Sequence, residues 1–343
     1  MIRRCRRAAF NAPLALAAIA AAACAGIPEP PAAPPEPEPP QLEPLRFFER
    51  WPDPPAPQPL APHLRWEPSS LSEGTFAIIT VLPDGRGLPI FEAAARADDR
   101  PIPLYRMPGG SFFGLVAAPL NAEKLSVDLS FRLFDGTLLS RTLSLHVSPR
   151  RFTVTQLRVA TRFTQPDPTS LERIQLEQAL VRATLRKMST TPLWHGAFLR
   201  PLEGAVTSPY GQRRMFNDEL RSRHTGLDIG GDTGDLVRAS NAGRIVISRD
   251  LYFNGNAVFI DHGLGLFTGY FHLSAREVAE GQWVEKGQIV GRVGATGRVT
   301  GPHLHWGLYL QGASLDPSAL LEPDFTRLSL DLPPQPATLL LKD

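Results

Sequence analysis

Gly301-Pro302-His303-Leu304-His305-Trp306-Gly307-Leu308 sets two histidines two residues apart in a short run flanked by glycines. On an extended strand successive side chains point to opposite faces, so His303 and His305 project to the same side, one pleat apart. An earlier stretch, Arg223-His224-Thr225-Gly226-Leu227-Asp228, offers another ring nitrogen and a carboxylate oxygen. Imidazole and carboxylate are ligand types for a divalent metal, and a fold that brings the two stretches together would assemble such a site. A His-x-His by itself is more often a pair of surface or core histidines, so the case rests on the conjunction.

Working outward, the chain of 343 residues is too long for one compact core and suggests two globular parts with extras. Hydrophobic residues make up 43% and charged residues 20%, ordinary for globular protein, but 35 prolines are too many for one evenly built domain. They are local: 15 of them fall in the 35 residues from Pro28 to Pro62. That segment, within a linker over 25–62, reads as an extended, semi-rigid tether. The net charge of +2 comes without a dense Lys/Arg face interleaved with aromatics, so nucleic acid is not an expected partner.

Arg3, Arg4, Arg6 and Arg7 precede an apolar run from Ala12 to Ala23 that is too short to span a bilayer comfortably, the pattern of an export signal over 1–24. Ala21-Ala22-Ala23-Cys24 resembles a bacterial lipoprotein cleavage box, with a lipid on Cys24 as the expected membrane contact; ordinary cleavage at an Ala-x-Ala site is the alternative. After processing at most Cys24 remains, so no disulfide can staple the mature chain. The expected location is the periplasm or outer membrane of a Gram-negative-type envelope.

Residues 63–150 show period two. Leu125, Val127, Leu129, Phe131 and Leu133 alternate with Ser126, Asp128, Ser130 and Arg132, Asp135-Gly136 supplies a hairpin turn, and Leu143, Leu145 and Val147 resume the alternation. With further strands at Thr75 to Leu82 and Ser111 to Val116, this predicts an immunoglobulin-like antiparallel β-sandwich. It holds no catalytic constellation and reads as a spacer or a cover over the following domain, with glycan or protein binding as the rival. A connector over 151–192 carries a predicted helix at about 170–188, with Thr169 and Glu172 spaced as a capping box and Ile174, Val181, Leu185 and Met188 forming an apolar stripe. Residues 193–321 return to short β runs separated by glycines, which predicts an antiparallel β-sheet domain with tight corners. The expected fold class is therefore mainly β: sandwich, connecting helix, antiparallel sheet. In the tail, 322–343, Leu328, Leu330 and Leu332 suggest an added edge strand.

His224, Asp228 and His305 supply two nitrogens and one oxygen, leaving a fourth position for water, which is catalytic rather than structural stoichiometry. His303 would stand beside the metal as a base, and His272, in Gly269-Tyr270-Phe271-His272-Leu273-Ser274, can stabilise a developing oxyanion. No His-Glu-x-x-His helix exists to provide a glutamate base. His262 reads as a turn residue that hydrogen-bonds locally, and His63, His146 and His195 stand alone.

Arg213 to Gly230, Gly269 to Ser274 and Gly301 to Gly307 closely resemble the LytM/lysostaphin-type zinc metallopeptidases, the M23 peptidase family, whose motifs are His-x-x-x-Asp, a middle histidine and His-x-His in that order. The likeness extends over about Leu193 to Leu321. It implies one Zn2+ per chain on His224, Asp228 and His305, with His303 as base, His272 assisting in the transition state, and cleavage of cross-bridge or stem peptides in bacterial peptidoglycan. Some relatives lose ligands and only activate other wall hydrolases, so a catalytically silent or autoinhibited regulator is the rival expectation. The loop Gly211 to Asp218 looks like a substrate-facing loop; Asp218 replaces a commonly seen glycine and Asp235 a frequent proline.

Overall fold

The computed structural model describes residues 61–85, 88–156, 167–216 and 219–331. The signal, the lipidation box, most of the Pro-rich tether, Asp218 and Leu332 lie outside the described residues, which contain no helix long and apolar enough to cross a membrane.

The described chain is mainly β. One layer has the strand order His63–Glu67, Thr75–Leu82, Phe112–Ala118, Tyr105–Arg106; a second runs Leu71–Ser72, Leu138–Ser148, Lys124–Leu133, Ile90–Ala97, Arg100–Ile102. Lys124–Leu133 buries every second residue, and after the Asp135-Gly136 turn it pairs antiparallel with Leu138–Ser148. Leu125, Val127, Leu129, Phe131 and Leu133 then meet Ala77, Ile79 and Val81 from the facing layer in one apolar core.

The sandwich has no free inner sheet. In Phe112–Ala118 all seven residues are buried, because the two faces of the strand serve different cores. Phe112, Val116 and Ala118 point into the sandwich, whereas Phe113, Leu115 and Ala117 join Phe76 and Ile78 in packing against the C-terminal half. A strand buried on both faces reads as a continuous apolar run, as Phe112-Phe113-Gly114-Leu115-Val116-Ala117-Ala118 does. Phe325 joins the halves: its ring lies 5.0 Å from Phe76, 5.5 Å from Phe198 and 6.0 Å from Trp194. Polar contacts run alongside. Gln311 donates from Nε2 to Leu115 O at 2.6 Å, and Arg150 pairs with Asp316 at 3.0 Å.

The C-terminal half is an eight-stranded sheet ordered Val206–Ser208, Gly226–Gly230, His303–Leu310, Leu266–Leu273, Gly255–Asp261, Gly243–Leu251, Trp283–Val284, with Ala313–Leu315 also on His303–Leu310. The connecting helix is Pro168–Leu185. Its N-cap is Asp167, whose carboxylate accepts from Ser170 N at 3.0 Å, so Thr169 lies inside the first turn and does not cap it. Val181 and Leu185 cover Ile247, Leu251, Phe259, Phe267 and Phe271 on one face of the sheet. The tail departs from the edge-strand expectation: Pro323–Asp331 is a helix, because docking Phe325 into the aromatic cluster satisfies its apolar side without a strand partner.

Phe325→Ala removes the ring that both halves share, and about 3–5 kcal/mol of stability should be lost. In guanidinium unfolding the midpoint should fall within a single transition; two separated transitions would show that the halves unfold independently.

Candidate metal centre and its cleft

The site is built by strand register. Gly226–Gly230 and His303–Leu310 are antiparallel neighbours in which Asp228 sits directly opposite His305, and directly opposed residues share a face at close range. His305 Nδ1 lies 2.7 Å from Asp228 Oδ1. His224, just before the strand, brings Nε2 to 2.9 Å from both of those atoms. These three residues are buried and form a group able to hold a metal ion.

Proton bookkeeping supports a cation there. His224 Nδ1 lies 2.8 Å from Pro209 O, and a carbonyl only accepts, so Nδ1 carries the hydrogen and Nε2 presents a lone pair. That lone pair faces the Asp228 carboxylate with no proton between them in the neutral ring. Burial would raise the Asp228 carboxyl, but its close contacts with His224 and His305 outweigh that and hold it far below the usual carboxylate range, so it is ionised. Burial pushes His305 down to about 4 despite Asp228, leaving its ring neutral near pH 7. Three donor atoms thus converge with at most one proton among their contacts, an arrangement that a shared cation relieves.

His303 and His272 flank this group. His303 Nε2 is 3.7 Å from Asp228 Oδ1, and its Nδ1 donates to Gly301 O at 2.9 Å. His272 reaches the same face by a backbone irregularity. Phe271 is paired opposite His305 and its ring lies 5.3 Å from it, so strict alternation would send His272 to the far side of the sheet. His272 instead has φ +63, in the left-handed region, and its ring comes within 5.1 Å of His303 and 5.8 Å of His305. A side chain held in that region at a constellation of this kind is backbone strain retained by its surroundings. The restraint is visible: His272 Nδ1 donates to Thr296 O at 2.9 Å, and Thr296 Oγ1 accepts from Asn256 N and donates to Leu273 O. Burial and the neighbouring His305 and His303 push His272 down to about 3, so it is neutral near pH 7.

Two supporting residues were not legible as such. A Cβ on Gly226 would stand 2.5 Å from His305 Nε2 and 2.5 Å from Trp306 O, so only glycine lets the His305 ring come this close to the strand. Arg214 donates to Asp228 Oδ2 at 3.0 Å, steering Oδ1 toward the histidines. The glycine between His224 and Asp228 was a signal; Arg214 lies in the loop read as substrate-facing, and its pairing depends on a fold contact. His262 differs from expectation. It is fully buried, Nδ1 donating to Ala242 O at 2.7 Å and Nε2 lying 2.8 Å from Thr268 Oγ1, which makes it a core cross-link between strands, with burial pushing it down to about 4. His303, His305, His272 and Asp228 line a cleft of roughly 410 Å³ together with Arg214, Arg298 and the Val299–Pro302 segment.

Residues 222–317 match the family model for peptidase family M23. Among curated relatives, the DD-carboxypeptidase/endopeptidase Mpg of Neisseria meningitidis is 41% identical over 124 residues, 36% of this chain and 29% of that protein. The peptidoglycan DD-endopeptidase ShyC of Vibrio cholerae is 36% identical over 137 residues, 39% of this chain and 31% of that protein. The matched stretch thus spans less than a third of either relative. A crystal structure from Pseudomonas aeruginosa, described as a candidate peptidase M23, aligns with TM-score 0.56 and 28% identity over 73% of this chain and 94% of its own, so the likeness reaches beyond the C-terminal sheet. Residues 222–317, with their paired strands and His/Asp/His group, are a peptidase M23 domain of the LytM type.

Proposed function

We propose that the chain is a zinc metalloendopeptidase that hydrolyses peptide bonds of bacterial peptidoglycan, in cross-bridges or stems, with one Zn2+ on His224, Asp228 and His305. The observation that carries this reading is the convergence of those three donor atoms beside two further imidazoles, those of His303 and His272. The name of the Vibrio cholerae relative, a peptidoglycan DD-endopeptidase, supports the substrate class. Export through residues 1–24 and a lipid on Cys24 would set such an enzyme against the wall.

Zinc bound there supplies a Lewis acid that draws the pKa of water toward neutrality and polarises a carbonyl. The chain's own residues handle orientation and protons. His303, fixed by its Nδ1–H bond to Gly301 O, keeps a lone pair on Nε2 that can take a proton and return it to the leaving amine. His272 is tied to Thr296 O in the same tautomer, so its Nε2 presents a second lone pair to the cleft, which can accept a hydrogen bond from the attacking water and hold it in place while His303 takes the proton. Arg214 holds the outer oxygen of Asp228 and keeps the carboxylate from turning away.

One observation favours the rival, an autoinhibited form. The connector strand Val154–Gln156 pairs in parallel with Arg213–Phe216, and Thr155 lines the cleft. Deleting everything before Leu193 cannot test this, since Phe76, Ile78 and Phe113 belong to the shared core. Thr155→Pro in the full chain can: proline removes the ladder donor, so turnover should rise several-fold if the strand restrains the cleft, and an unchanged rate would eliminate autoinhibition by this strand.

The two neighbouring histidines should fail differently. His305→Ala and Asp228→Ala should lose bound zinc and the release of soluble muropeptides together, whereas His303→Ala should keep about one zinc by elemental analysis while turnover falls about 10²–10⁴-fold. Wild-type release of muropeptides by His305→Ala would refute the mechanism. Gly226→Ala, by pushing on the His305 ring, should weaken zinc about 10–100-fold in a chelator competition.

A further inference from the structure

The cleft carries more positive charge than the metal site explains. Two guanidiniums, Arg214 and Arg298, line it, against the one carboxylate of Asp228. Arg214 is engaged, donating to Asp228 Oδ2. Arg298 is not: among the described residues no carboxylate pairs with it, and its charge rests on the face of Phe253, 4.5 Å from the ring centroid. A divalent cation on the three ligands would add to the excess.

Arg298 is also set in place by backbone. Its N–H donates to Phe253 O at 2.9 Å, and two residues earlier Thr296 accepts from His272 Nδ1 and bonds to Asn256 N and Leu273 O. The segment that holds His272 in its unusual conformation therefore also fixes the position of Arg298. Burial, and then the charge of Arg214, lowers the pKa of Arg298, as expected of a cation held half-buried beside another without a counter-ion. A planar guanidinium supported by an aromatic face is suited to bind a carboxylate through two parallel hydrogen bonds.

We infer that Arg298 is a specificity-determining residue that binds a free carboxylate of the substrate peptide near the scissile bond, so that the protein discriminates against peptides in which that carboxylate is amidated. This rests on the peptidoglycan reading above. Two carboxylates have the right chemistry, one on the residue flanking the scissile bond and one at the end of the stem peptide.

The test uses the full chain loaded with zinc, as wild type, Arg298→Gln and Arg298→Lys, with stem peptides that are unmodified, amidated at the flanking residue or amidated at the terminus. Calorimetric binding should weaken about 10–100-fold on Arg298→Gln with the unmodified peptide, the range for a lost hydrogen bond to a charged group, with Arg298→Lys in between. The amidated peptide that lacks the partner carboxylate should bind the wild type equally weakly and be indifferent to the substitution, which identifies which carboxylate is read. Zinc content and thermal midpoint should match the wild type. Equal affinity of wild type and Arg298→Gln for the unmodified peptide would overturn the proposal, as would an equal loss on all three peptides, the mark of a merely structural role. Hydrolysis of cross-linked dimers is scored separately: a wild type that binds stems but cuts none would remove the endopeptidase reading, while the binding comparison still decides the role of Arg298.

Discussion

Asp228 and His305 are 77 positions apart in the chain, and their meeting rests on the antiparallel register between Gly226–Gly230 and His303–Leu310. A one-residue slip in that pairing would turn every side chain to the opposite face and take a donor atom away from the group. The register is held from both sides. Leu227, Ile229, Leu304, Trp306 and Leu308 are buried in one core, so a slip would bring apolar side chains out and polar ones in. Close packing of Gly226 against the His305 ring adds a steric lock that no larger residue allows.

Much of this was readable from residue order. The alternation from Leu125 to Leu133 and the Asp135-Gly136 turn encode a hairpin locally, so no distant contact was needed to recognise it. The His-x-x-x-Asp and His-x-His spacings likewise point to the three residues that the fold brings together, because each pair belongs to one short segment. What escaped depends on contacts between segments. Asp167 caps the helix where Thr169 and Glu172 fit the local pattern equally well. His262 looked like a turn residue because nothing near it in sequence announces Ala242 O and Thr268 as partners. The left-handed backbone at His272 has no signature at all in Tyr270-Phe271-His272-Leu273, yet it decides which face that imidazole occupies.

The relation between the halves was harder still. A free-standing spacer needs only one buried face per sheet, and the alternating strands of the outer layer fit that view. Phe112–Ala118 breaks it, since an uninterrupted apolar run cannot stand with one side in water. Read with Thr75–Leu82, whose buried residues also fall on both faces, it marks a sheet that is sandwiched twice. Connected chemistry and connected packing thus have different signals, the first in motif spacing and the second in the loss of alternation.

The twice-buried layer couples the ends of the molecule thermodynamically. A ligand that binds the folded form stabilises every element that unfolds with its site, in proportion to the logarithm of its concentration over its dissociation constant. With Phe76 and Trp306 in one core, a metal held by His224, Asp228 and His305 would slow amide exchange in Thr75–Leu82, a strand that touches none of the ligands. The same linkage runs backwards: a cavity opened beside Phe76 would raise the population of the unfolded form, and once that form is populated the apparent affinity for the metal would fall with it.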